Sequence, residues 1–187
     1  MGNRTISAKE QNAKPGAGLD FRLLSLTYKL RDLRLPRINV LREAGIKPGF
    51  HVLDYGCGPG SYIAPLVELV GASGKIYALD INPLAVQAVK RLASKKGLTN
   101  VQAILSDCKT GLLPDTLDVV LLYDILHDLD EPDRVLAELC TALKPTGILS
   151  ITDHHLQEAD IISRVTGKGL FKLAAEGKRT YSFVKEK

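Results

Sequence analysis

A chain of 187 residues with a formal net charge of +4 has the length of one well-buried domain and is short for two. With 45% hydrophobic and 25% charged residues its composition is that of a globular protein, and its apolar runs are too short to predict a membrane span. The cysteines, Cys57, Cys108 and Cys140, are odd in number and form no C-x-x-C pair, which predicts reduced thiols in a cytoplasmic protein.

The positive charge is concentrated at the amino terminus. Residues 1–44 contain nine Lys or Arg residues and four Asp or Glu residues, whereas the rest of the chain is slightly acidic. Such an arm could face an acidic substrate, a nucleic acid or a membrane surface, or it could be a solvated helix face. Aromatic residues make up only 5% and Trp is absent, so no stable nucleic-acid partner is expected.

The amino-terminal segment predicts a tail followed by helices. Residues 1–18 lack apolar periodicity and are expected to form a flexible tail. Leucines spaced alternately by four and three from Leu19 to Leu33 predict an amphipathic helix, and a shorter helix is expected to end at Gly45. We therefore expect a single domain over residues 19–187 with a helical cap at 19–44. The leucine stripe could cover a substrate pocket, pack on the core or form a homodimer interface.

From residue 45 the chain alternates between strand-like and helical runs. Strands are predicted at His51–Tyr55, Lys75–Leu79, Val101–Leu105, Leu117–Tyr123 and Gly147–Thr152, and helices at Tyr62–Val70, Pro83–Lys96, Pro132–Leu143 and Gln157–Thr166. Two further runs, Leu170–Ala174 and Thr180–Val184, flank a Gly-containing turn and predict an antiparallel hairpin. We expect an α/β fold with a doubly wound seven-stranded sheet, mostly parallel with an antiparallel last strand, and helices on both faces.

The segment VLDYGCGPG, residues 52–60, ends the first predicted strand with an acid and three alternating glycines. Glycines let the backbone approach a ligand closely, and ligands of such sheets bind beyond the carboxyl ends of the strands. A dinucleotide-binding loop needs its third glycine at position 61, where this chain has Ser61. The acidic Asp54 also suits a ligand with an ammonium or sulfonium better than one with a pyrophosphate. An NAD-dependent oxidoreductase is therefore disfavoured.

Two further acids follow the second and third predicted strands. A carboxylate at Asp80 can accept hydrogen bonds from both ribose hydroxyls of an adenosine. Asp107, after the third strand, is placed to reach an adenine amino group. Each acid alone is better explained as a capping or loop residue, but acids at three successive strand ends predict an adenosine-containing ligand.

These segments resemble the class I S-adenosylmethionine-dependent methyltransferases. Residues 52–60 look like the first motif of that family, D/E-x-G-x-G-x-G, and residues 118–124 are similar to its fourth-strand motif. Asp80 and Asp107 match the acids that end its second and third strands. Residues 126–147 resemble the methyltransferase type 11 branch, which includes small-molecule and quinone-biosynthesis enzymes, with Thr146 in place of a glycine.

The resemblance implies a Rossmann-like enzyme that transfers a methyl group from S-adenosyl-L-methionine to a small-molecule acceptor by in-line displacement, leaving S-adenosyl-L-homocysteine. The residues expected beside the cofactor are Asp54, Tyr55, Gly56, Cys57, Gly58, Gly60, Asp80, Ile81, Asp107, Cys108 and Tyr123. The alternatives are a module that binds S-adenosylmethionine or a nucleoside without catalysis and, after it, an RNA or protein methyltransferase.

Three of the four histidines follow the fourth and fifth predicted strands: His127, His154 and His155. Methyl transfer to a hydroxyl benefits from a general base, and histidine titrates near neutral pH. His154 is the leading candidate base, and His127 and Asp124 are further candidates, although these side chains could instead cap or line the loops. No metal site is expected, because the neighbours of Asp124 and Asp153 are imidazoles rather than a compact set of oxygen ligands.

Overall fold

The computed structural model describes residues 37–186. The helices are α1 (Arg37–Glu43), α2 (Ile63–Val70), α3 (Pro83–Lys96), α4 (Pro132–Ala142) and α5 (Glu158–Thr166), with a 3-10 turn at Leu126–Asp128. The strands are β1 (His51–Tyr55), β2 (Lys75–Asp80), β3 (Val101–Leu105), β4 (Leu117–Tyr123), β5 (Leu143–Thr152), β6 (Phe171–Glu176) and β7 (Tyr181–Lys185). The predicted tail and the predicted leucine-striped helix lie outside the described residues. Whether that helix covers a substrate pocket, packs on the core or forms a dimer interface therefore stays a prediction.

The strands form one seven-stranded sheet in the order β3-β2-β1-β4-β5-β7-β6. The pairs from β3 to β5 are parallel, and β7 runs antiparallel to both β5 and β6. This confirms the predicted doubly wound, Rossmann-like sheet and its antiparallel last strand. The chain moves outward from β1 in one direction and from β4 in the other, so a crevice opens between these two strands.

Helices cover the sheet on both faces because successive side chains of a strand point to opposite sides. In β1, Val52 packs into the layer of α2 and α3, whereas Leu53 packs into the layer of α4 and α5. Both side chains are fully buried, as are most of those in the neighbouring β4. Burial on both faces accounts for the near-continuous apolar strands of the sequence.

Most predicted boundaries are correct to within one or two residues, and the largest difference lies in β5. This strand begins at Leu143 rather than at Gly147, because Leu143 already pairs with Leu117 before the register shifts. The predicted caps of α3 are present: the Asn82 side chain accepts a hydrogen bond from Leu84 N–H at 2.9 Å, and Gly97 adopts a left-handed conformation.

Helix α1 is connected to the far end of the chain by hydrogen bonds of the Glu43 side chain. Glu43, at the end of α1, accepts hydrogen bonds from the Arg179 N–H at 3.0 Å and from the Thr180 hydroxyl at 3.1 Å, and so connects α1 to the β6–β7 turn.

None of the helices in the described part of the chain has the length and hydropathy that a transmembrane segment requires.

Candidate cofactor-binding and catalytic site

The glycine loop leaves β1 at the crevice and is anchored to β2. The N–H groups of Gly56 and Cys57 both donate to the Leu79 carbonyl, at 2.8 and 3.0 Å. Gly60 packs against α3 so closely that an added Cβ would lie 3.0 Å from Val89 Cγ2. Gly58 has a φ of +51°, and an added Cβ would point into open space. The loop therefore presents bare backbone to the crevice.

Asp80, the last residue of β2, orders this loop. One carboxylate oxygen accepts a hydrogen bond from Gly58 N–H and the other from Asn82 N–H, both at 2.8 Å. A carboxylate oxygen can accept a second hydrogen bond. Asp80 can therefore hold the loop and still bind the hydroxyls of a ligand.

Two adjoining cavities lie beyond the carboxyl ends of the strands and share Gly56, Asp80, Ile125 and Asp128. The first, here called the Asp54 lobe, has about 230 Å³ and is also lined by Arg37, Asp54, Cys57, Gly58, Pro59, Ser61, Tyr62, Asn82, Ala85, Tyr123 and Asp124. The second, the Asp107 lobe, has about 200 Å³ and is also lined by Tyr55, Leu79, Ile81, Ser106, Asp107, Cys108, Leu129, Asp130, Glu131, Arg134 and Val135. Together they form one elongated cleft of the volume expected for a small-molecule site, roughly 300–1,000 Å³.

The cleft brings together all of the predicted cofactor residues except Gly60, which lines neither lobe. A larger cavity, of about 770 Å³, lies between α1 and the β6–β7 turn. Its walls include Asn39, Glu43 and Lys178, but Asp54, Asp80, Asp107 and the histidines do not line it. The chemistry indicated by the sequence therefore converges on the cleft rather than on this larger cavity.

Asp54 is a buried acid of the cleft with a strongly raised pKa. Its side chain is 2% exposed, and Oδ2 has no hydrogen-bond partner within residues 37–186. Burial raises the pKa of Asp54 to about 7, against the opposing charge of Arg37 and with a further increase from Asp80. A buried carboxyl without a partner is costly, and a cationic ligand group would relieve that cost.

Several residues of the Asp54 lobe were not predicted from the sequence, above all Arg37. Its guanidinium carbon lies 4.5 Å from the centre of the Tyr62 ring, and Tyr62 in turn contacts the Tyr123 ring edge to face at 5.3 Å. The Tyr123 hydroxyl hydrogen-bonds Ser150 at 2.9 Å, and burial raises the pKa of Tyr123 far above neutrality. Tyr123 is therefore protonated and forms part of the wall of the Asp54 lobe. For Arg37, the sequence offered only the basic character of residues 1–44.

The wall of the Asp107 lobe is held by two long-range contacts. The buried Tyr55 hydroxyl donates to the Asp107 carbonyl at 3.0 Å. One Glu138 oxygen accepts hydrogen bonds from the N–H and the hydroxyl of Thr110, both at 2.8 Å. Burial opposes ionisation of Glu138, but the Thr110 and Lys109 hydrogen bonds outweigh it and lower its pKa. The loop that carries Asp107 is thereby attached to β1 and to α4.

The candidate catalytic residues meet in one cluster that touches the cleft through Asp124, whereas the histidines line neither lobe. His154 Nδ1 lies 2.7 Å from Asp124 Oδ1, and His127 Nδ1 lies 2.9 Å from Asp153 Oδ2. The His155 ring lies between the other two and is tilted against both, with centroids 3.9 Å from His154 and 4.2 Å from His127. Each of these two acids thus binds a histidine ring, a pairing that no sequence spacing revealed.

Asp153 is the buried anchor of this cluster, with 5% exposure. Burial raises its pKa, but hydrogen bonds from the His127 ring and from the N–H groups of His155 and His127 outweigh that effect and hold it below the usual value. Asp153 is therefore ionised at neutral pH. Within residues 37–186, no three His, Cys, Asp or Glu side chains are arranged to hold a metal ion.

Comparisons with known proteins agree with this geometry. A family model described as a methyltransferase domain matches residues 46–186. The ubiquinone/menaquinone biosynthesis C-methyltransferase UbiE of Francisella tularensis subsp. holarctica is 26% identical over 172 residues, which cover 87% of this chain and 68% of the relative. UbiE of Shewanella piezotolerans is 26% identical over 182 residues, 92% of this chain and 72% of the relative.

Among solved structures, a SAM dependent methyltransferase from Aquifex aeolicus is similar with a TM-score of 0.71 at 27% identity. The match covers 85% of this chain and 97% of that protein. The matched family model spans most of the chain, and its domain begins just after α1. The chain therefore belongs to the methyltransferase domain family and is an S-adenosylmethionine-dependent methyltransferase of the class I, quinone-biosynthesis-like branch.

Proposed function

We propose that S-adenosylmethionine lies along the cleft with its methionine part in the Asp54 lobe, its ribose at Asp80 and its adenine in the Asp107 lobe. The observation that carries this orientation is the Asp54 carboxyl, which is buried and lacks a partner for Oδ2 among the described residues. An ammonium group is the ligand part that best compensates such a carboxyl. The bound cofactor supplies a methyl group that its sulfonium charge activates.

The other cleft residues take roles that follow from this orientation. The backbone of Gly56 and Gly58 lies against the cofactor, and Cys57 and Tyr123 form walls of the methionine end. Arg37, beside Asp54, suits the carboxylate of the methionine part. At the other end, the exposed Ile81 packs on the adenine, and the Asp107 side chain with the Cys108 backbone reaches its polar edge. Tyr55 and Gly60 support the loops from behind.

The methyl acceptor in this proposal is a small molecule that reaches the mouth of the cleft beside Asp124, His127 and His154. The relatives are named for C-methylation in quinone biosynthesis, which supports a small-molecule acceptor. The low aromatic content argues against a stable nucleic-acid partner. We place the protein in the cytoplasm, which suits its free cysteines.

We also propose that residues 19–187 form a single domain whose cap, residues 19–44, either covers the acceptor or joins two copies of the chain. Residues 1–18 form a flexible tail in this proposal. Size-exclusion chromatography with light scattering decides the oligomeric state. A dimer that a Leu26→Arg substitution dissociates makes the cap an interface, and a monomer leaves it as a cover of the pocket or as part of the core.

Calorimetric titration tests the cofactor assignment. The protein is titrated with S-adenosylhomocysteine, NAD and NADH, and the first titration is repeated on Asp80→Ala and on Asp160→Ala, an exposed acid of α5 that serves as the control. We expect binding of the homocysteine compound alone, with a large loss for Asp80→Ala and none for Asp160→Ala. Binding of NAD, or equal effects of the two substitutions, would contradict the proposal.

A further inference from the structure

We propose that Asp128 is the residue by which the cleft distinguishes the methyl donor from its spent product, because its carboxylate faces the sulfonium of S-adenosylmethionine. This inference rests on the proposed function, because it uses the orientation of the cofactor proposed above. It goes beyond that function by assigning to one side chain a preference of the cleft for S-adenosylmethionine over S-adenosylhomocysteine.

The donor and the product differ in charge at the sulfur atom. When the methyl group is transferred, the bond between its carbon and the sulfur breaks, and the electron pair of that bond stays on the sulfur. The positive sulfonium thereby becomes a neutral thioether, whereas the ammonium, the carboxylate, the ribose and the adenine are unchanged. A negative charge that faces the sulfur therefore attracts the donor and not the product.

The sulfur lies between the methionine and the ribose of the cofactor, so in the proposed orientation it lies where the two lobes meet. This junction is lined by the residues that the lobes share, Gly56, Asp80, Ile125 and Asp128. Asp80 already accepts backbone hydrogen bonds with both carboxylate oxygens, and it takes the ribose in the proposed function. Asp128 is therefore the acid of the junction that remains for the sulfonium.

The 3-10 turn that ends at Asp128 holds this residue beside the glycine loop. Leu126 of the turn is fully buried, and the Asp128 N–H donates to the Ile125 carbonyl at 3.0 Å. Ile125 packs so closely on the glycine loop that a Cβ added to Gly56 would lie 3.0 Å from Ile125 Cγ1. His127 Nε2 lies 3.7 Å from Asp128 Oδ2, which is too far for a hydrogen bond. The backbone of Asp128 is thus fixed at the junction, and its carboxylate is not committed to a hydrogen bond with that ring.

The charges of the whole cleft favour a cationic ligand. Among the described residues that line the two lobes, the acids are Asp54, Asp80, Asp107, Asp124, Asp128, Asp130 and Glu131, and the cations are Arg37 and Arg134. Arg37 lines the Asp54 lobe and Arg134 the Asp107 lobe, so neither of these two cations lines the junction. Arg134 also donates to Glu131 at 2.7 Å, which offsets its charge. The junction therefore presents negative charge to the sulfur.

Asp54 does not make the same distinction. Its buried carboxyl suits the ammonium of the methionine part, and both the donor and the product carry that ammonium. Asp54 therefore contributes to the affinity for both forms, whereas Asp128 contributes to the difference between them. The two acids predict different responses to one set of ligands.

The contribution of Asp128 should be modest, because its side chain is 72% exposed and solvent screens its charge. Exposed pairs of opposite charge change an equilibrium constant by roughly two- to fivefold. A preference of this size weakens inhibition by the product, since the spent cofactor loses an attraction that the incoming donor has.

Calorimetric titration with three ligands tests the role of Asp128. S-adenosylmethionine and sinefungin carry a positive charge at this position, the latter as an ammonium group, and S-adenosylhomocysteine carries none. Asp128→Asn should reduce the preference for both charged ligands over S-adenosylhomocysteine by roughly two- to fivefold. Asp54→Asn should weaken the binding of all three ligands alike, and Asp160→Asn, at an exposed position of α5, should change none of the affinities.

Two further variants of the same loop control for position and for charge. Asp130 is an exposed acid two residues beyond Asp128 that lines the Asp107 lobe and not the junction, so Asp130→Asn should change the preference less than Asp128→Asn. Asp128→Glu keeps the charge and should keep the preference. A loss of local structure would weaken all three ligands together and leave their ratio unchanged. An unchanged preference in Asp128→Asn, or an equal change in Asp130→Asn, would overturn the proposal.

Ionic strength gives a second readout that the wild type alone provides. The wild-type preference for the charged ligands should fall as KCl is raised from about 0.02 M to about 0.5 M, because salt screens an exposed pair of charges. The preference of Asp128→Asn should depend less on salt. A wild-type preference that does not change with salt would also overturn the proposal.

The failure of this inference is distinguishable from that of the proposed function. A wild type that binds none of the three ligands would refute the proposed cofactor site. Binding of all three ligands, weakened alike by Asp54→Asn but with a preference that Asp128→Asn does not change, would refute only the role of Asp128.

Discussion

Asp54 should lower the stability of the free protein, and the same buried carboxyl should attract a cationic ligand. Its carboxyl is 2% exposed, and burial raises its pKa from 3.8 to about 7. Because the unfolded chain ionises more easily, stability is lost as the pH rises from about 4 to about 7 and then stays constant. The substitution Asp54→Asn removes this ionisation and keeps the size of the side chain.

The size of this destabilisation follows from the pKa shift of Asp54. At 1.36 kcal/mol per unit, the ionised Asp54 costs about 4 kcal/mol of folding free energy at pH 8. At pH 5 most of the folded molecules hold the neutral carboxyl, so the cost is about 2 kcal/mol. The stability advantage of Asp54→Asn over the wild type should therefore grow by about 2–3 kcal/mol between pH 5 and pH 8. For a domain of this size that is a Tm difference of about 5–10 °C.

Thermal unfolding of both proteins from pH 5 to pH 8.5 measures this difference, with Asp160→Asn as the control for an exposed acid. Comparing variant with wild type at each pH cancels the titration of the other groups. Binding should show the opposite preference: S-adenosylhomocysteine should bind Asp54→Asn more weakly, and wild-type binding below pH 7 should release a proton as Asp54 ionises. A Tm difference that does not depend on pH, or a variant less stable than the wild type at pH 8, would refute the reasoning.

Substitutions at three further residues separate support of the cleft from contact with the ligand. Glu138→Ala leaves the Thr110 N–H and hydroxyl without their acceptor, so calorimetry should show S-adenosylhomocysteine affinity lowered by about tenfold. Glu138→Gln should recover part of that affinity. Unchanged affinity in Glu138→Ala would show that the Asp107 loop needs no such support. Gly60→Ala places a Cβ 3.0 Å from Val89 Cγ2 at a φ of +83°, so urea unfolding should show a loss of about 1–3 kcal/mol, and a loss below that range would mean that α3 adjusts freely. Gly58→Ala meets open space at a φ of +51°, so it should lose less stability than Gly60→Ala but more ligand affinity, and the reverse ranking would show that Gly58 does not face the cofactor.

The grouping of the three acids in one cleft was predictable, because parallel strands bring their carboxyl ends to one edge of the sheet. Asp54, Asp80 and Asp107 lie at or just beyond the carboxyl ends of three successive strands, and all three line the cleft. The hairpin at the end was predictable from its turn residues, but not the insertion of β7 between β5 and β6. Local spacing carries information on strand ends and turns, and none on which edge accepts the last strand.

The pairing of side chains could not be predicted from the sequence. The sequence placed His127, His154 and Asp124 near one another, but which carboxylate binds which ring depends on how the loops after β4 and β5 cross. Arg37 reaches the Asp54 lobe only because α1 packs beside α2, and no periodicity in the basic arm indicates that contact. Such contacts arise from packing between elements far apart in the chain.

The place of β7 in the sheet has a consequence for synthesis on the ribosome. β5 and β6 are separated in the sheet by a strand that is translated after both, at Tyr181–Lys185. Until that segment has left the exit tunnel, the β5 edge next to the histidine cluster has no partner and is open to pairing with other chains. The nascent protein should therefore depend on chaperones until β7 is made, even though the residues of the candidate cofactor cleft emerge long before.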